Sequence, residues 1–221
     1  MSLLGFDTST AASSACVLRS DGVAFEVTPA PERLSRPPAH ASELMPAVAK
    51  VMERAGLGWD DLEAIAVGVG PGAFTGLRIG VTTARALAHA AGLPLRPVSS
   101  LAALAAGIDA DERLAVIDAK RGELFALLER PAGPAWEPEA MSAEALAERV
   151  WAAGASPVAA GDGSIRFREA LEAAGITVAP DEEGAHVVRG VHVCRLAQSV
   201  ADEPPETVLP AYLRAPDAKP Q

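Results

Sequence analysis

The sequence predicts an α/β protein in which mixed sheets are flanked by helices. Apolar runs of strand length alternate with helical patterns along the 221 residues. Each half of the chain opens on two strands joined by a short turn, at residues 3–18 and again at residues 114–128. In both halves the first strand ends at an aspartate, Asp7 or Asp118. We therefore expect two similar lobes whose facing strand ends form a cleft that contains both carboxylates.

The elements of the first half follow from apolar periodicity and from the positions of glycine. Asp21-Gly22 is a strong hairpin turn, and Gly56 and Gly92 end the two helices. The run at residues 65–70 is almost wholly apolar, which is typical of a strand buried on both faces. In chain order, strands are predicted at residues 3–6, 15–18, 23–27 and 65–70 and helices at 41–55 and 75–91.

The second half repeats the strand, aspartate, turn and strand order of the first, which we interpret as a structural echo and not a sequence repeat. Strands are predicted at residues 114–117, 123–128 and 158–160, and helices at 143–152, 166–174 and 188–200. We place an N-terminal lobe at residues 1–106, a C-terminal lobe at residues 107–214 and a flexible tail at residues 215–221.

The glycine-rich turn after the strand at residues 65–70 is the most distinctive feature of the chain. Pro71-Gly72 breaks the strand, and Thr75 is a candidate N-cap for the next helix. Such a turn can point backbone N–H groups at an anion, so Gly70, Gly72 and Thr75 are candidate phosphate-binding residues. The glycine spacing matches neither a Walker loop nor a Rossmann fingerprint. The alternative is a tight turn in which glycine serves packing.

Asp7 is followed by three hydroxyl residues, Thr8, Ser9 and Thr10. A carboxylate beside hydroxyls and turn amides suits a magnesium-phosphate site, and Asp118 would supply a second carboxylate. The alternative is that Asp7 caps a turn and that Asp118 bonds only to local backbone N–H groups.

The sequence predicts no catalytic residue and no resident metal site. The four histidines show no HxxxH pair, and no Ser-His-Asp or Cys-His set has a recognisable spacing. We expect His40 near a helix start as a solvated or capping residue, and we expect Ser9 and Ser13 to be turn residues.

The chain is acidic, with a formal net charge of −10. That charge argues against a large direct nucleic-acid footprint, so a more basic partner would carry most of any RNA contact. Cys16 and Cys194 are too few for a disulfide framework, and we expect buried reduced thiols. Because neither a signal peptide nor an apolar run of membrane-spanning length is present, we expect a soluble cytoplasmic protein.

Six motifs, in order along nearly the whole chain, carry a family resemblance. They are DTST at residues 7–10, HASELMP at 40–46, GVGPGAFTGLRIG at 68–80, IDAKRGELF at 117–125, GDG at 161–163 and PAYLR at 210–214. Together they closely resemble the bacterial TsaB family, formerly called YeaZ. The resemblance implies the actin-like, sugar-kinase and Hsp70-type (ASKHA) fold, with two ribonuclease-H-like lobes around a nucleotide cleft.

The resemblance also implies a role in making N6-threonylcarbamoyladenosine (t6A) at position 37 of tRNAs that read ANN codons. In that family picture a separate synthase makes threonylcarbamoyl-AMP, and the paralogue TsaD transfers the threonylcarbamoyl group to tRNA. TsaB members act as the partner of TsaD, and TsaE is an ATPase in the larger complex. A homodimer in the absence of TsaD is implied, as is tRNA contact through the partners. ATP or ADP with magnesium is the cofactor that the resemblance allows, in the cleft or at the partner interface.

The chain lacks the metal ligands of the catalytic paralogue. TsaD-like enzymes carry two histidines four residues apart after a Gly-x-Pro strand, where this chain has Ser99, Ser100 and Leu104. Hydroxyl and aliphatic groups cannot replace imidazole at a transition-metal site. The sequence therefore favours a partner subunit without independent activity. The rivals are a stand-alone ATPase or phosphotransferase that uses Asp7 and Asp118 with magnesium, and a metallopeptidase.

A partner subunit needs a docking surface, and the helix at residues 75–91 offers a stripe of small residues. They recur every four positions, which would let another helix approach closely. The alternative is that the stripe packs against this protein's own sheet. Family members pair through two N-terminal helices, here at residues 40–55 and 75–91, so the resemblance favours a stripe that faces outward. The predicted interface residues are Leu44, Val48, Gly76, Gly80, Ala84 and Ala88.

Overall fold

The fold is described by a computed structural model that covers residues 2–213. In the first half of the chain, the strands are β1 (Leu3–Asp7), β2 (Ser14–Leu18), β3 (Ala24–Val27), β4 (Ala64–Gly70) and β5 (Leu95–Ser99), and the helices are α1 (His40–Ala55), α2 (Phe74–Ala91) and α3 (Ser100–Ala105). In the second half, the strands are β6 (Arg113–Lys120), β7 (Glu123–Arg130), β8 (Gly133–Pro134), β9 (Ala140–Met141), β10 (Val158–Ala160) and β11 (Thr177–Val178), and the helices are α4 (Ala143–Ala152), α5 (Asp162–Arg166), α6 (Arg168–Ala173) and α7 (Gly190–Ala197).

The two halves build two sheets with the same arrangement of strands. The first sheet has the order β3-β2-β1-β4-β5, and the second has the order β11-β10-β6-β7-β8, with β9 also paired to β7. In each sheet a central strand pairs antiparallel with the strand that follows it and parallel with a later one: β1 with β2 and β4, and β6 with β7 and β10. Asp7 and Asp118 therefore occupy equivalent strand ends, and the predicted duplication of the fold is confirmed.

Three layers of apolar side chains hold the sheets and helices together. The outer face of the first sheet packs on α1 and α2, through residues such as Phe6, Val48 and Val81. The inner faces of both sheets share one core with α3 and α7, to which Leu104 and Ile117 belong. A third cluster joins the second sheet to α4 and α6. The mixed sheets flanked by helices that the sequence predicts are thus present.

Helix α7 comes from the second half of the chain but packs on β1 and β2 of the first sheet. Gly5 and Gly190 allow this close approach, because a Cβ on Gly5 would lie 2.5 Å from Cys194 Sγ and one on Gly190 would lie 2.8 Å from the backbone of Ala15. Cys194 Sγ lies 3.5 Å from the Cys16 carbonyl oxygen, and both cysteines are buried and free. The expected reduced thiols are thus in the core, where they join the last helix to the first sheet.

Some predicted elements differ from the observed ones. The helix expected at residues 166–174 is two short helices that meet at Phe167, α7 is shorter than expected, and α3 was not predicted. Gly56 and Gly92 do end α1 and α2, each in the left-handed conformation. Within residues 2–213, no helix is both long and apolar enough to cross a membrane. The lobe boundary at residue 106 stays a prediction, and Arg214 and the predicted tail lie outside the described residues.

Candidate functional site

The carboxylate of Asp7 is enclosed by its own chain. Asp7 is 1% exposed, and it accepts hydrogen bonds from the Ser9 backbone N–H (2.7 Å), the Ser9 hydroxyl (2.6 Å) and the Ser100 hydroxyl (2.6 Å). Burial raises the pKa of Asp7, and the hydrogen bonds from Ser100 and Ser9 oppose that rise. The acceptor positions that a hydrated magnesium ion would need are therefore taken by groups of the protein.

The turn after β4 packs directly on the turn after β1. The Ala73 N–H donates to the Ser9 carbonyl at 2.7 Å, and the Thr8 hydroxyl donates to the Gly76 carbonyl at 2.8 Å. A Cβ on Gly72 would lie 2.4 Å from the Ser9 carbonyl oxygen, and one on Gly76 would lie 2.1 Å from that of Thr8. Glycine therefore serves close packing of the two turns, and the residues here do not fit a magnesium-phosphate group in this conformation.

The remaining members of the predicted phosphate site have structural roles. Gly70 has a φ of +115°, which favours glycine, and its N–H donates to the Ser100 hydroxyl at 3.1 Å. Thr10 is buried beside the same turn. The prediction that Thr75 is the N-cap of α2 is wrong: Ala73 precedes the helix, and Thr75 is an exposed residue of the first turn. The bond from Ala73 to Ser9 fixes the helix start in place of a side-chain cap.

Ser13 and His40 form a buried pair that sequence spacing could not reveal. The Ser13 hydroxyl lies 2.8 Å from His40 Nδ1, and the two residues are 5% and 3% exposed. His40 is therefore not the solvated residue that we expected. Burial and the charge of Arg33 lower the pKa of His40, and within residues 2–213 its Nε2 atom has no hydrogen-bond partner. Among the residues that the structure describes, no hydrogen bond joins a carboxylate to this imidazole, and the pair lies at the start of α1.

The Asp118 end of the second sheet is built differently. Asp118 accepts hydrogen bonds from the Lys120 backbone N–H, the Lys120 ammonium and the Arg166 guanidinium, each at 2.8 Å. Burial alone would raise the pKa of Asp118, but these donors outweigh it and lower the pKa below its ordinary value. The Asp118 N–H donates to Asp162 at 3.0 Å, and burial together with the Asp118 charge raises the pKa of Asp162 to about 6.

A cavity of about 450 Å³ opens beside Asp118, between the two halves of the chain. Pro31, Glu32, Leu34 and Ser35 from the segment after β3 form one wall. The opposite walls carry residues of the second half, namely Asp118, Lys120, Asp162, Ile165, Arg166, Asp181 and Glu182. Asp7 does not line this cavity, and in the part of the chain described, the two aspartates share no hydrogen-bond partner. This cavity contains only one of the two carboxylates, and a single cleft that contains both stays a prediction.

The six residues predicted as a partner interface are buried in this chain. Leu44, Val48, Ala84 and Ala88 are 0–1% exposed, and a Cβ on Gly80 would lie 2.2 Å from the Thr8 hydroxyl. The expectation that the small-residue stripe of α2 faces outward is wrong, because the stripe is buried inside this chain, where Gly76 and Gly80 meet Thr8 and the helix lies mainly against β4. The four-residue spacing in the sequence identified the residues of α2 that share one face, but it did not identify what covers that face.

An exposed aromatic patch lies at the start of α2. The rings of Phe74 and Tyr212 stack with centroids 5.0 Å apart, and the Arg78 guanidinium lies 5.3 Å from the centre of the Phe74 ring. Phe74 and Tyr212 are 40% and 41% exposed. The Ala211 N–H donates to the Val69 carbonyl at 2.8 Å, which holds the C-terminal segment against β4. We call Phe74, Arg78 and Tyr212 the aromatic patch; Phe74 and Arg78 lie in the GVGPGAFTGLRIG motif and Tyr212 in the PAYLR motif, but the sequence did not show that the two motifs meet.

Comparison with known proteins decides the family. The family model described as TsaD, tRNA N6-adenosine threonylcarbamoyltransferase, matches residues 30–133. The TsaB protein of Haemophilus influenzae is 36% identical over 129 residues, which are 57% of this chain and 52% of that protein. An uncharacterized protein of Mycobacterium tuberculosis is 35% identical over 189 residues, which are 82% of this chain and 78% of that protein. The solved YeaZ of Pseudomonas aeruginosa has a TM-score of 0.74 and 28% identity, and the match covers 96% of this chain and 99% of that one.

The chain belongs to the TsaB family. Its two lobes with duplicated sheets have the actin-like ASKHA fold that the motifs imply. The match spans about half the length of the curated TsaB proteins of Haemophilus influenzae and Escherichia coli, where the chain is 36% and 37% identical. The similarity to the solved YeaZ structure runs through nearly the whole chain. Both strand-end aspartates and the start of α2 therefore belong to a TsaB-type fold.

Proposed function

We propose that this TsaB-family chain is a non-catalytic partner subunit in the formation of t6A at position 37 of tRNAs that read ANN codons. The names of its curated relatives support the pathway, because they are tRNA threonylcarbamoyladenosine biosynthesis proteins. The observation that carries the non-catalytic part is the closed Asp7 turn, where three donors of the chain itself surround the carboxylate. A subunit with this turn supports chemistry that another subunit performs.

The residues that stand where TsaD-like enzymes have histidines also support a non-catalytic role. The Ser99 side chain caps α3 by accepting the Ala102 N–H, Ser100 donates to Asp7, and Leu104 lies in the shared core. Within the described part of the chain, no group of three or more His, Cys, Asp or Glu side chains could hold a metal ion. Each of the three positions therefore has a packing or capping role in place of a ligand role.

We place TsaD against the aromatic patch and the exposed side of α1 and α2. The patch offers two large rings and a guanidinium, the residue types that dominate binding energy at protein interfaces. Met45 on α1 is 43% exposed and adds an adaptable apolar side chain to these two helices. This assignment keeps the N-terminal helices as the predicted interface but replaces the buried stripe with residues that a partner can touch.

The other assignments of the proposal follow from the family and from charge. TsaE acts as the ATPase of the larger complex, a homodimer forms without TsaD, and any ATP or ADP with magnesium lies at the interface with the partners. A formal net charge of −10 disfavours direct phosphate contact, so tRNA is reached through more basic partners. The site of action is the cytoplasm, where these tRNAs are modified.

The test is reconstitution of t6A formation from the synthase, TsaD, TsaE and tRNA, with and without this chain. We expect t6A, measured by mass spectrometry of digested tRNA, to depend on the chain. A Phe74→Glu variant should lose co-purification with TsaD and lower t6A at least tenfold. Trp151→Glu is the matched control, because Trp151 is an aromatic residue 84% exposed on α4, away from both N-terminal helices.

Three outcomes would contradict the proposal. Equal t6A without the chain would remove the pathway assignment, and undiminished TsaD binding by Phe74→Glu would remove the assigned surface. ATP turnover by the isolated chain that is lost in Asp7→Ala would favour the stand-alone ATPase. A Gly80→Leu substitution is a poor test of docking, because its side chain would collide with Thr8 inside this chain.

A further inference from the structure

The cavity beside Asp118 combines apolar walls with an excess of carboxylates. Its volume of about 450 Å³ lies within the range of small-molecule sites. Pro31, Leu34 and Ile165 supply apolar surface, and the segment that contains Pro31 and Leu34 comes from the first half of the chain. A molecule held here would touch both halves, and its aliphatic portion would lie against these three side chains.

The charges of the lining residues do not cancel. Lys120 and Arg166, its two cations, both pair with Asp118. Asp181 pairs with Arg168 at the rim. Three further carboxylates line the cavity, Glu32, Asp162 and Glu182, and within residues 2–213 none of them has an ion-pair partner. Because Lys120 and Arg166 share the one negative charge of Asp118, they leave a single positive charge, and the net charge around the cavity, with Arg168 included, is about −2 at neutral pH.

We propose that this cavity is a binding site for a small organic cation, an aliphatic amine whose ammonium groups meet Glu32, Asp162 and Glu182 while its carbon chain lies on Pro31, Leu34 and Ile165. The site is independent of the proposed function, since it shares no residue with the Asp7 turn or with the aromatic patch.

Other ligand classes fit the cavity less well. A nucleotide or another phosphate would meet an excess of negative charge, because the lining residues described carry five carboxylates and two cations. A bare divalent cation needs several oxygen ligands that converge on one point. Among the described residues no such group of carboxylates is present, and the apolar walls would contribute nothing to a metal ion. An amine uses both the charge and the apolar surface.

The proposal is tested by titrating the full chain with 1,4-diaminobutane in a calorimeter at pH 7.5 and low salt. We expect one diamine per chain, and binding that weakens at high salt. Glu32→Gln and Glu182→Gln should each lower the affinity about fivefold, the size expected for one partly exposed ion pair. Glu148→Gln on α4 is the matched control, because it removes one exposed carboxylate away from the cavity and should leave the affinity unchanged.

Three results would overturn the assignment. One is a diamine affinity that Glu148→Gln lowers as much as Glu32→Gln does, which would mean binding to net charge alone. Another is equal binding of butyrate, which has a similar carbon chain with the opposite charge. The third is saturable displacement of the diamine by magnesium chloride or by magnesium-ATP at matched ionic strength, which would make the cavity a metal or nucleotide site.

Discussion

Asp7 and Asp118 occupy the same place in two copies of one sheet, yet their surroundings are opposite. Asp7 is bonded to hydroxyl and amide groups in a closely packed turn, and burial raises its pKa. Asp118 is bonded to two cations at the edge of a cavity, and its pKa is lowered. A duplicated fold thus fixes where a carboxylate lies, while the residues around it decide whether it stabilises the fold or borders a binding site.

The surroundings of Asp7 and Asp118 differ in the packing of nearby glycines as well as in their polar partners. In the first half, Gly68, Gly72 and Gly76 bring neighbouring backbone and side-chain atoms so close that a Cβ on any of them would lie within 2.4 Å of a heavy atom. In the second half, Gly161 after β10 is packed just as closely, with a Cβ 2.0 Å from the Val116 carbonyl oxygen, but the turn between β6 and β7 has Gly122, where a Cβ would meet nothing within 4 Å. The turn after β1 is therefore covered by the turn after β4, whereas the turn after β6 keeps open space at Gly122.

The largest expected change in stability tests how closely the turn after β4 packs on the turn after β1. Gly76→Ala should destabilise the protein by about 3 kcal/mol, because the new Cβ would lie 2.1 Å from the Thr8 carbonyl oxygen and the two turns must separate. Urea unfolding measures the change. Gly184→Ala is the control, since a Cβ there meets nothing within 4 Å, and it should change stability by less than about 0.5 kcal/mol. Equal stability of the two variants would mean that the first turn has room to spare.

Replacing Asp7 or Asp118 by alanine should lower the free energy of unfolding by different amounts. Asp7→Ala leaves the Ser9 N–H and two hydroxyls without an acceptor in a buried turn, so we expect a loss of about 2 kcal/mol. Asp118→Ala should cost about 1 kcal/mol, because the Lys120 and Arg166 side chains are half or more exposed and can be hydrated.

The contributions of Asp7 and Asp118 to stability should change with pH in opposite directions. The pKa of Asp118 is lowered, so its contribution to stability is present above its ordinary value of 3.8 and is lost as the pH falls through the folded value. The pKa of Asp7 is raised, so its contribution is present at low pH and is lost as the pH rises through its folded value. Urea unfolding measured from about pH 2.5 to pH 8 checks both signs, because the Asp118 change lies below pH 3.8, and parallel profiles for the two variants would contradict the comparison.

Much of the fold could be predicted from the sequence, because strand length, helix period and glycine stops are local properties. The end of β1 at Asp7 and the helix ends at Gly56 and Gly92 are of this kind, whereas β6 continues two residues past the predicted end at Asp118, to Lys120. The site was harder, because its contacts join residues far apart in the chain, such as Ser100 to Asp7 and Arg166 to Asp118. The hydrophobic period shows which residues of α2 share a face, but only their burial in the structure shows that this face meets Thr8 and the first sheet of the same chain.

A smaller effect on stability should distinguish the Asp118 end of the second sheet from the Asp7 turn of the first. Asp162 at the open end has a pKa of about 6, raised from 3.8, so the stability that it contributes below 3.8 is lost as the pH rises through about 6. Asp162→Asn cannot ionise, and its Oδ1 can still accept the Asp118 N–H. We therefore expect its stability relative to the wild type to increase by about 1 kcal/mol from pH 5 to pH 8, measured by urea unfolding. A relative stability that is constant over this range would show that Asp162 has an ordinary pKa.

The smallest expected effect concerns how each half starts a helix. Helix α4 in the second half begins at a side-chain cap, where Ser142 accepts the Ala145 N–H, so Ser142→Ala should cost about 1 kcal/mol. Helix α2 in the first half has no such cap, and its start is fixed by the Ala73 N–H on the Ser9 carbonyl. Thr75→Ala should therefore change the free energy of unfolding by less than about 0.5 kcal/mol. A Thr75→Ala cost as large as that of Ser142→Ala would show that Thr75 does cap α2, and that packing between the two turns is not sufficient to start it.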